Sequence, residues 1–136
     1  MLTPKHIIDK MMTKDKFSQW LGLQVNEIEI GKCQLTCSIK EDMLNGFEIT
    51  HGGISYSLAD SALAFAANSY GYKCVSIETS ISHTRPTKIN DTLTATCKEI
   101  NRSRKLGIYE VNVFNQHEKL VAYFKGSVHI SEEAWE

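Results

Sequence analysis

Residues 53–70 constrain the fold more than any other part of the chain. They contain no Lys, no Arg and no Glu, and Asp60 is their only charge. Gly53 opens the run, alanines, serines and leucines fill it, and Gly71 is placed to end it. The pattern predicts a helix over 53–70, and a helix with no charged face is normally buried on most sides. Its small side chains let neighbouring backbones come close. Whatever surrounds this helix has to cover nearly all of it.

The rest of the chain reads as the cover. Residues 5–21 form an amphipathic pattern, with Ile7, Ile8, Met11, Met12, Phe17 and Leu21 on one stripe and Gly22 as the stop. Residues 23–30 and 33–39 read as two strands joined at Gly31-Lys32, and Asn45-Gly46 marks a turn within 41–50. Beyond the helix nearly everything alternates. Val75, Ile77, Thr79 and Ile81 share one face, as do Leu93, Ala95 and Cys97, and residues 108–114 continue the β-rich pattern. Leu120, Ala122, Phe124, Gly126, Val128 and Ile130 fall on one face of a last strand. The links at 86–91, 102–105 and 116–119 are short and turn-like, and consecutive strands with short links make an antiparallel sheet. The expectation is a single α+β domain over 1–136. A long central helix is wrapped by a curved antiparallel sheet, with an N-terminal helix before it.

Composition narrows the function classes. Fifteen basic residues balance sixteen acidic ones, for a formal charge of −1, which argues against a chain built mainly to hold nucleic acid or an anionic membrane. The single N-terminal helix offers no pair for DNA binding. No run approaches the roughly 20 apolar residues of a membrane span. The first residues lack the apolar core of a signal peptide, so the cytoplasm is the expected address and Cys33, Cys37, Cys74 and Cys97 are expected as reduced thiols. Cys33 and Cys37 lie on one face of a strand, which is not zinc spacing, and the histidines are scattered; no metal site is expected.

Two features point to chemistry. An Asp in a buried helix interior costs free energy unless it is partnered or functional. Asp60 either meets a small exposed window, is held by the Ser57 or Ser61 hydroxyl, or does chemistry. His51-Gly52-Gly53 is the second feature. A helix N-terminus carries free N–H groups and partial positive charge, and glycines admit a ligand to the backbone, so this is a candidate oxyanion hole or a plain glycine turn. Asp60 lies eight residues beyond Gly52, about 12 Å along a helix. The two cannot act on one carbonyl from one chain. If both are functional, two antiparallel helices across a dimer axis bring them together in two equivalent sites.

Met43-Leu44-Asn45-Gly46, His51-Gly52-Gly53, Ser57-Leu58-Ala59-Asp60-Ser61, Ala66-Ala67-Asn68-Ser69-Tyr70-Gly71, Asn90-Asp91-Thr92-Leu93-Thr94-Ala95 and Gly107-Ile108-Tyr109, taken in order, closely resemble the PaaI-like hotdog thioesterases of the phenylacetic acid degradation type. The resemblance implies a hotdog fold, homodimers with a continuous sheet as the active unit, and commonly dimers of dimers, that is homotetramers. It implies hydrolysis of acyl-CoA, often aryl-acetyl or hydroxylated aryl-acetyl CoA, with coenzyme A as part of the substrate and no separate cofactor. By matching position, Asp60 is the nucleophile or general base, and the Gly52 N–H polarises the thioester carbonyl with Gly53 beside it. Asn45 sits near the carbonyl or the attacking water, or merely builds the turn. His51 supports the loop, and Ser76 helps place water or is one more sheet hydroxyl. Arg85, Lys88, Arg102, Arg104 and Lys105, in or beside turns, are the candidates for the nucleotide of CoA, or are solvated loop charges. His83-Thr84 departs from the pattern, since relatives tend to be more apolar there. Two rivals remain: a hotdog hydratase or dehydratase pairing His51 with Asp60, and a non-catalytic acyl-CoA-binding module that does not need Asp60.

Overall fold

The structure, a computed structural model, describes residues 2–136. Helix α1 (Pro4–Lys14) and helix α2 (Lys16–Leu21) precede strands β1 (Gln24–Glu29) and β2 (Lys32–Ser38), and a short 3₁₀ turn (Glu41–Met43) leads to helix α3 (Gly52–Asn68). Strands β3 (Tyr72–His83), β4 (Thr92–Arg102), β5 (Leu106–Phe114) and β6 (Leu120–Ala134) complete the chain. The six strands make one antiparallel sheet in the order β1-β2-β4-β5-β6-β3, and α3 touches every strand of it. This is the helix wrapped by an antiparallel sheet that the residue pattern predicts, and the hotdog fold that the family resemblance implies. Among the described residues no helix is long and apolar enough to cross a membrane.

The core lies between α3 and the concave face of the sheet. Leu58, Ala62, Leu63, Phe65 and Ala66 of α3 are buried against Leu35, Leu93, Ala95, Val111, Val113, Phe124 and Val128. The β6 face predicted from alternation holds: Ala122, Phe124, Gly126, Val128 and Ile130 all point inward. Gly126 sets how closely α3 can sit. A Cβ there would stand 2.7 Å from Leu63 Cδ2, so a side chain at this position would have to push Leu63 or the helix away from the strand.

Three expectations are corrected. The predicted helix 5–21 is two helices, because Asp15 leaves the helical region (φ −84°, ψ 84°) and its carboxylate accepts from the Ser18 N–H at 2.9 Å. Asp15 thus ends one helix and caps the next, a competition that Asp side chains commonly win. The break turns Phe17 out of the apolar stripe; it is 52% exposed and packs on Trp20. The central helix runs 52–68 instead of 53–70. It stops because the Asn68 amide, itself buried, bonds the Ala64 and Cys74 carbonyls and accepts from Cys74 N–H and Trp135 Nε1–H. The third correction concerns β3. Its register against β6 shifts between Ser76 and Glu78, so the strand changes face at Ile77. Val75 and Ile77, expected to share a face with Thr79 and Ile81, are 64% and 61% exposed, while Ile81 is half-buried against the core. β3 is also an edge strand, 12 residues long, with one side unpaired.

Candidate active site

The N-terminus of α3 forms one half of the site. His51 is its N-cap, and the imidazole Nδ1 accepts from the Gly53 N–H at 2.8 Å. That bond puts the proton of a neutral His51 on Nε2 and takes the Gly53 N–H out of play. Gly53 was a candidate for substrate contact, but it has no free donor to offer. The Gly52 N–H is different: it has no acceptor among the described residues, as the first turn of a helix allows. A free N–H at the positive end of a 17-residue helix is suited to a developing negative charge.

A loop brings Asn45 to the same place. Leu44 and Thr50 bridge its base, and Asn45 N–H donates to the Ile49 carbonyl at 2.8 Å. The Asn45 side chain accepts from Phe47 N–H at 2.8 Å through Oδ1, an Asx-turn arrangement. Its oxygen builds the turn, and its amide N–H₂ makes no hydrogen bond among the described residues. The loop is fastened below by Thr87, whose hydroxyl donates to Thr50 Oγ1 at 2.6 Å and whose carbonyl accepts from Thr50 N–H. Asn45, Gly52, Ser55, His83, Arg85 and Thr87 line a cleft of about 360 Å³.

Asp60 lies elsewhere. It belongs to a half-exposed stripe of α3 made by Gly53, Ser57, Asp60, Ser61 and Ala64, and faces a second cleft of about 290 Å³ with Asp15, Phe17 and Ser18. The Ser61 hydroxyl is engaged with Ser18 Oγ at 2.8 Å, and Ser18 in turn with Asp15 at 2.6 Å. Neither Ser57 nor Ser61 holds the Asp60 carboxylate, which makes no hydrogen bond or ion pair among the described residues. Burial raises its pKa above the usual Asp value, and the nearby Asp15 carboxylate adds to the rise. A half-buried carboxylate with a raised pKa and no partner has the character of a reacting group. The two clefts share no lining residue, so within one chain Gly52 and Asp60 do not meet.

The remaining candidates divide. Arg85, Lys88, Arg104 and Lys105 are exposed, and none makes an ion pair among the described residues; only Arg85 lines the Gly52 cleft. Arg102 corrects its expectation as a free turn residue. Its guanidinium folds back over the Tyr70 ring at 3.7 Å and donates to the Ala67 carbonyl and Tyr109 hydroxyl, bracing the C-terminal end of α3. Ser76 lines neither cleft; it sits on the edge strand just before the bulge, on the face of Val128. Residue patterns alone did not find Asp15, Ser18 or Phe17, which reach Asp60 only because the chain breaks at Asp15. They also did not place His83 beside Gly52, although its polarity in an otherwise apolar position was a signal.

Comparison with known proteins identifies the family and the fold. The thioesterase superfamily model matches residues 47–122. Acyl-coenzyme A thioesterase PaaI of Escherichia coli (strain K12) is 36% identical over 119 residues, covering 88% of this chain and 85% of that protein. The structure of the E. coli PaaI protein from the phenylacetic acid degradation operon superposes with a TM-score of 0.94 at 33% identity, over 96% of this chain and 95% of that one. A mutant of the phenylacetic acid degradation protein PaaI from Thermus thermophilus superposes with a TM-score of 0.82 at 35% identity, over 85% of this chain and 98% of that one.

Proposed function

The chain belongs to the thioesterase superfamily as a PaaI-like hotdog thioesterase, and from that premise we propose that it hydrolyses aryl-acetyl-CoA thioesters at a site completed by a second copy of itself. The observation that carries the reading is Asp60: an unpartnered carboxylate, alone in charge on a neutral helix, in a different cleft from the free Gly52 N–H. An antiparallel pair of α3 helices, meeting along the stripe of Gly53, Ser57, Ser61 and Ala64, sets Asp60 of the partner subunit opposite Gly52. The unpaired edge of β3, with Val75 and Ile77 exposed, supports pairing into a continuous sheet. Two such dimers form the tetramer. The protein works in the cytoplasm, where its four free thiols remain reduced.

In the reaction the thioester carbonyl oxygen accepts from the Gly52 N–H, and the Asn45 amide donates to the same oxygen or to the attacking water. Asp60 then either takes a proton from water as the water oxygen bonds to the carbonyl carbon, or attacks that carbon itself to give a mixed anhydride that water opens. In both routes the C–S bond breaks with its electron pair on sulfur, and CoA leaves as a thiolate that solvent protonates. His51 holds the helix start through Gly53, and Ser76, outside both clefts, takes no step. Arg85 and Lys88 receive phosphates of CoA, joined by Arg104 and Lys105. Because His51 Nδ1 is committed to Gly53, the His–carboxylate pair a hydratase needs is not available from it.

Free-thiol release from a panel of acyl-CoAs tests the reading, with wild type compared with Asp60→Ala. Turnover of phenylacetyl-type thioesters that falls by about 10²–10⁴-fold in the variant supports it. Undiminished turnover moves the chemistry away from Asp60. Binding of CoA ligands with no turnover makes the chain a binding module. Oxygen-18 in the Asp60 carboxylate after a single turnover selects the anhydride route.

A further inference from the structure

The Gly52 cleft contains a group that the proposed mechanism does not use. His83 ends the edge strand, and its ring lies against Gly52: a Cβ built on Gly52 would stand 3.0 Å from His83 Nε2 and 3.3 Å from Cε1. The imidazole thus occupies the space a side chain at position 52 would take. Its other nitrogen, Nδ1, is 3.4 Å from the Ser55 hydroxyl, one turn along the same helix, and Ser55 Oγ also lies 3.2 Å from the Gly52 carbonyl. Ser55 is buried, so this end of the ring is held from inside the fold.

The orientation fixes which nitrogen faces the reacting group. When Ser55 donates to Nδ1, the neutral ring carries its proton on Nε2. When the ring is protonated, Nδ1–H donates to Ser55, Ser55 donates to the Gly52 carbonyl, and Nε2–H is again free. Each of these two states presents an N–H on the Gly52 side; the other neutral tautomer, in which Nδ1–H donates to Ser55 while Ser55 donates to the Gly52 carbonyl, leaves Nε2 bare. From the Cβ distance, Nε2 lies no more than about 5.5 Å from the Gly52 nitrogen, and one oxygen about 2.9 Å from each can receive both bonds.

We propose that His83 is a second hydrogen-bond donor to the thioester carbonyl oxygen, acting through Nε2–H beside the Gly52 N–H. The inference rests on the thioesterase reading of this cleft and adds a catalytic residue to it. A backbone N–H alone is a single neutral donor. A neighbouring imidazole adds a second, one that becomes charge-assisted when protonated and so favours the oxyanion over the ground-state carbonyl. Because the benefit arises as charge develops, it belongs in kcat and leaves KM nearly untouched.

The test is steady-state hydrolysis of phenylacetyl-CoA by wild type, His83→Phe, His83→Gln and Asp60→Ala. Phe keeps the bulk of the ring without a donor, whereas Gln returns an N–H at similar reach. His83→Phe is expected to lower kcat about 100-fold with KM within about twofold of wild type, and His83→Gln to recover at least about tenfold of that loss. A His83→Phe enzyme within about threefold of wild type in kcat, a loss confined to KM, or a Gln variant no better than Phe would each overturn the proposal. If Asp60→Ala is inactive while His83→Phe is not, His83 alone is misassigned. If wild type turns over no thioester, the reading of the site fails and takes this inference with it.

Discussion

If each site draws Gly52 from one chain and Asp60 from the other, two inactive variants should restore one another. Gly52→Pro is the cleanest way to remove one half. Gly52 is the first residue of α3, where proline is well tolerated and its missing N–H breaks no helical bond. His51 before it already has φ −60° and ψ 135°, the extended conformation that a residue preceding proline prefers. The new ring presses on His83 and displaces it as well, so both donors proposed for the carbonyl oxygen, which belong to the same chain's half of the site, are removed together. The change therefore deletes both donors and keeps the helix, at a cost of at least about 10²–10³-fold in kcat. Asp60→Ala removes the other half. In a heterodimer the chain with Asp60→Ala still supplies Gly52, and the chain with Gly52→Pro still supplies Asp60, so one of two sites is intact. Random 1:1 mixing puts half of the dimers in this state, and activity should return to about a quarter of wild type from parents that are nearly inactive. The assay is thiol release from phenylacetyl-CoA by the co-expressed mixture, compared with each parent expressed alone. A mixture that stays at the average of its parents would refute the argument, because it would place both groups of a working site in one chain.

Other expectations follow from single contacts. Gly126→Ala puts a methyl 2.7 Å from Leu63 Cδ2 and 3.2 Å from Phe124 Cε1, both side chains buried; overpacking of about 2 kcal/mol lowers Tm by roughly 7 °C for a chain of this length. Leu63→Val in the same chain should return part of that loss, and strictly additive effects would count against the contact. The raised Asp60 pKa means the native state holds this proton more tightly than the unfolded chain does, so ionised Asp60 lowers stability. Asp60→Asn should therefore match wild type in Tm at acid pH and exceed it as pH rises through the ordinary Asp value and the raised native one. A less stable variant at neutral pH would contradict this. Arg102→Ala should lower stability by about 2 kcal/mol through its lost bonds to Ala67 and Tyr109, with KM for acyl-CoA unchanged, whereas Arg85→Ala should raise KM and leave Tm alone. Denaturant melts and kinetics on both variants check the division, and a raised KM in Arg102→Ala alone would reverse it.

The sequence by itself determined the fold class and singled out both halves of the proposed site. A helix with one charge can be stable only inside a cover, and period-two alternation over the following residues supplies only a sheet to cover it. Asp60 stands out because a carboxylate in a buried helix costs free energy unless it is partnered, partly exposed or functional. The 12 Å between it and Gly52 followed from helix geometry alone, at about 1.5 Å per residue. The tertiary structure decided which group bonds which. Alternation could not show that β3 shifts register at Ile77, because a bulge depends on its partner strand. Helical periodicity could not show that Asp15 prefers capping Ser18 to continuing a helix. Arg102 looks in sequence like any other turn cation, and only the folded chain brings Tyr70, Ala67 and Tyr109 around it. His83, 31 positions after Gly52, reached the helix N-terminus only because the edge strand runs back along α3. Periodicity reports which face of an element is apolar; hydrogen-bond partners far apart along the chain are set by how those faces pack.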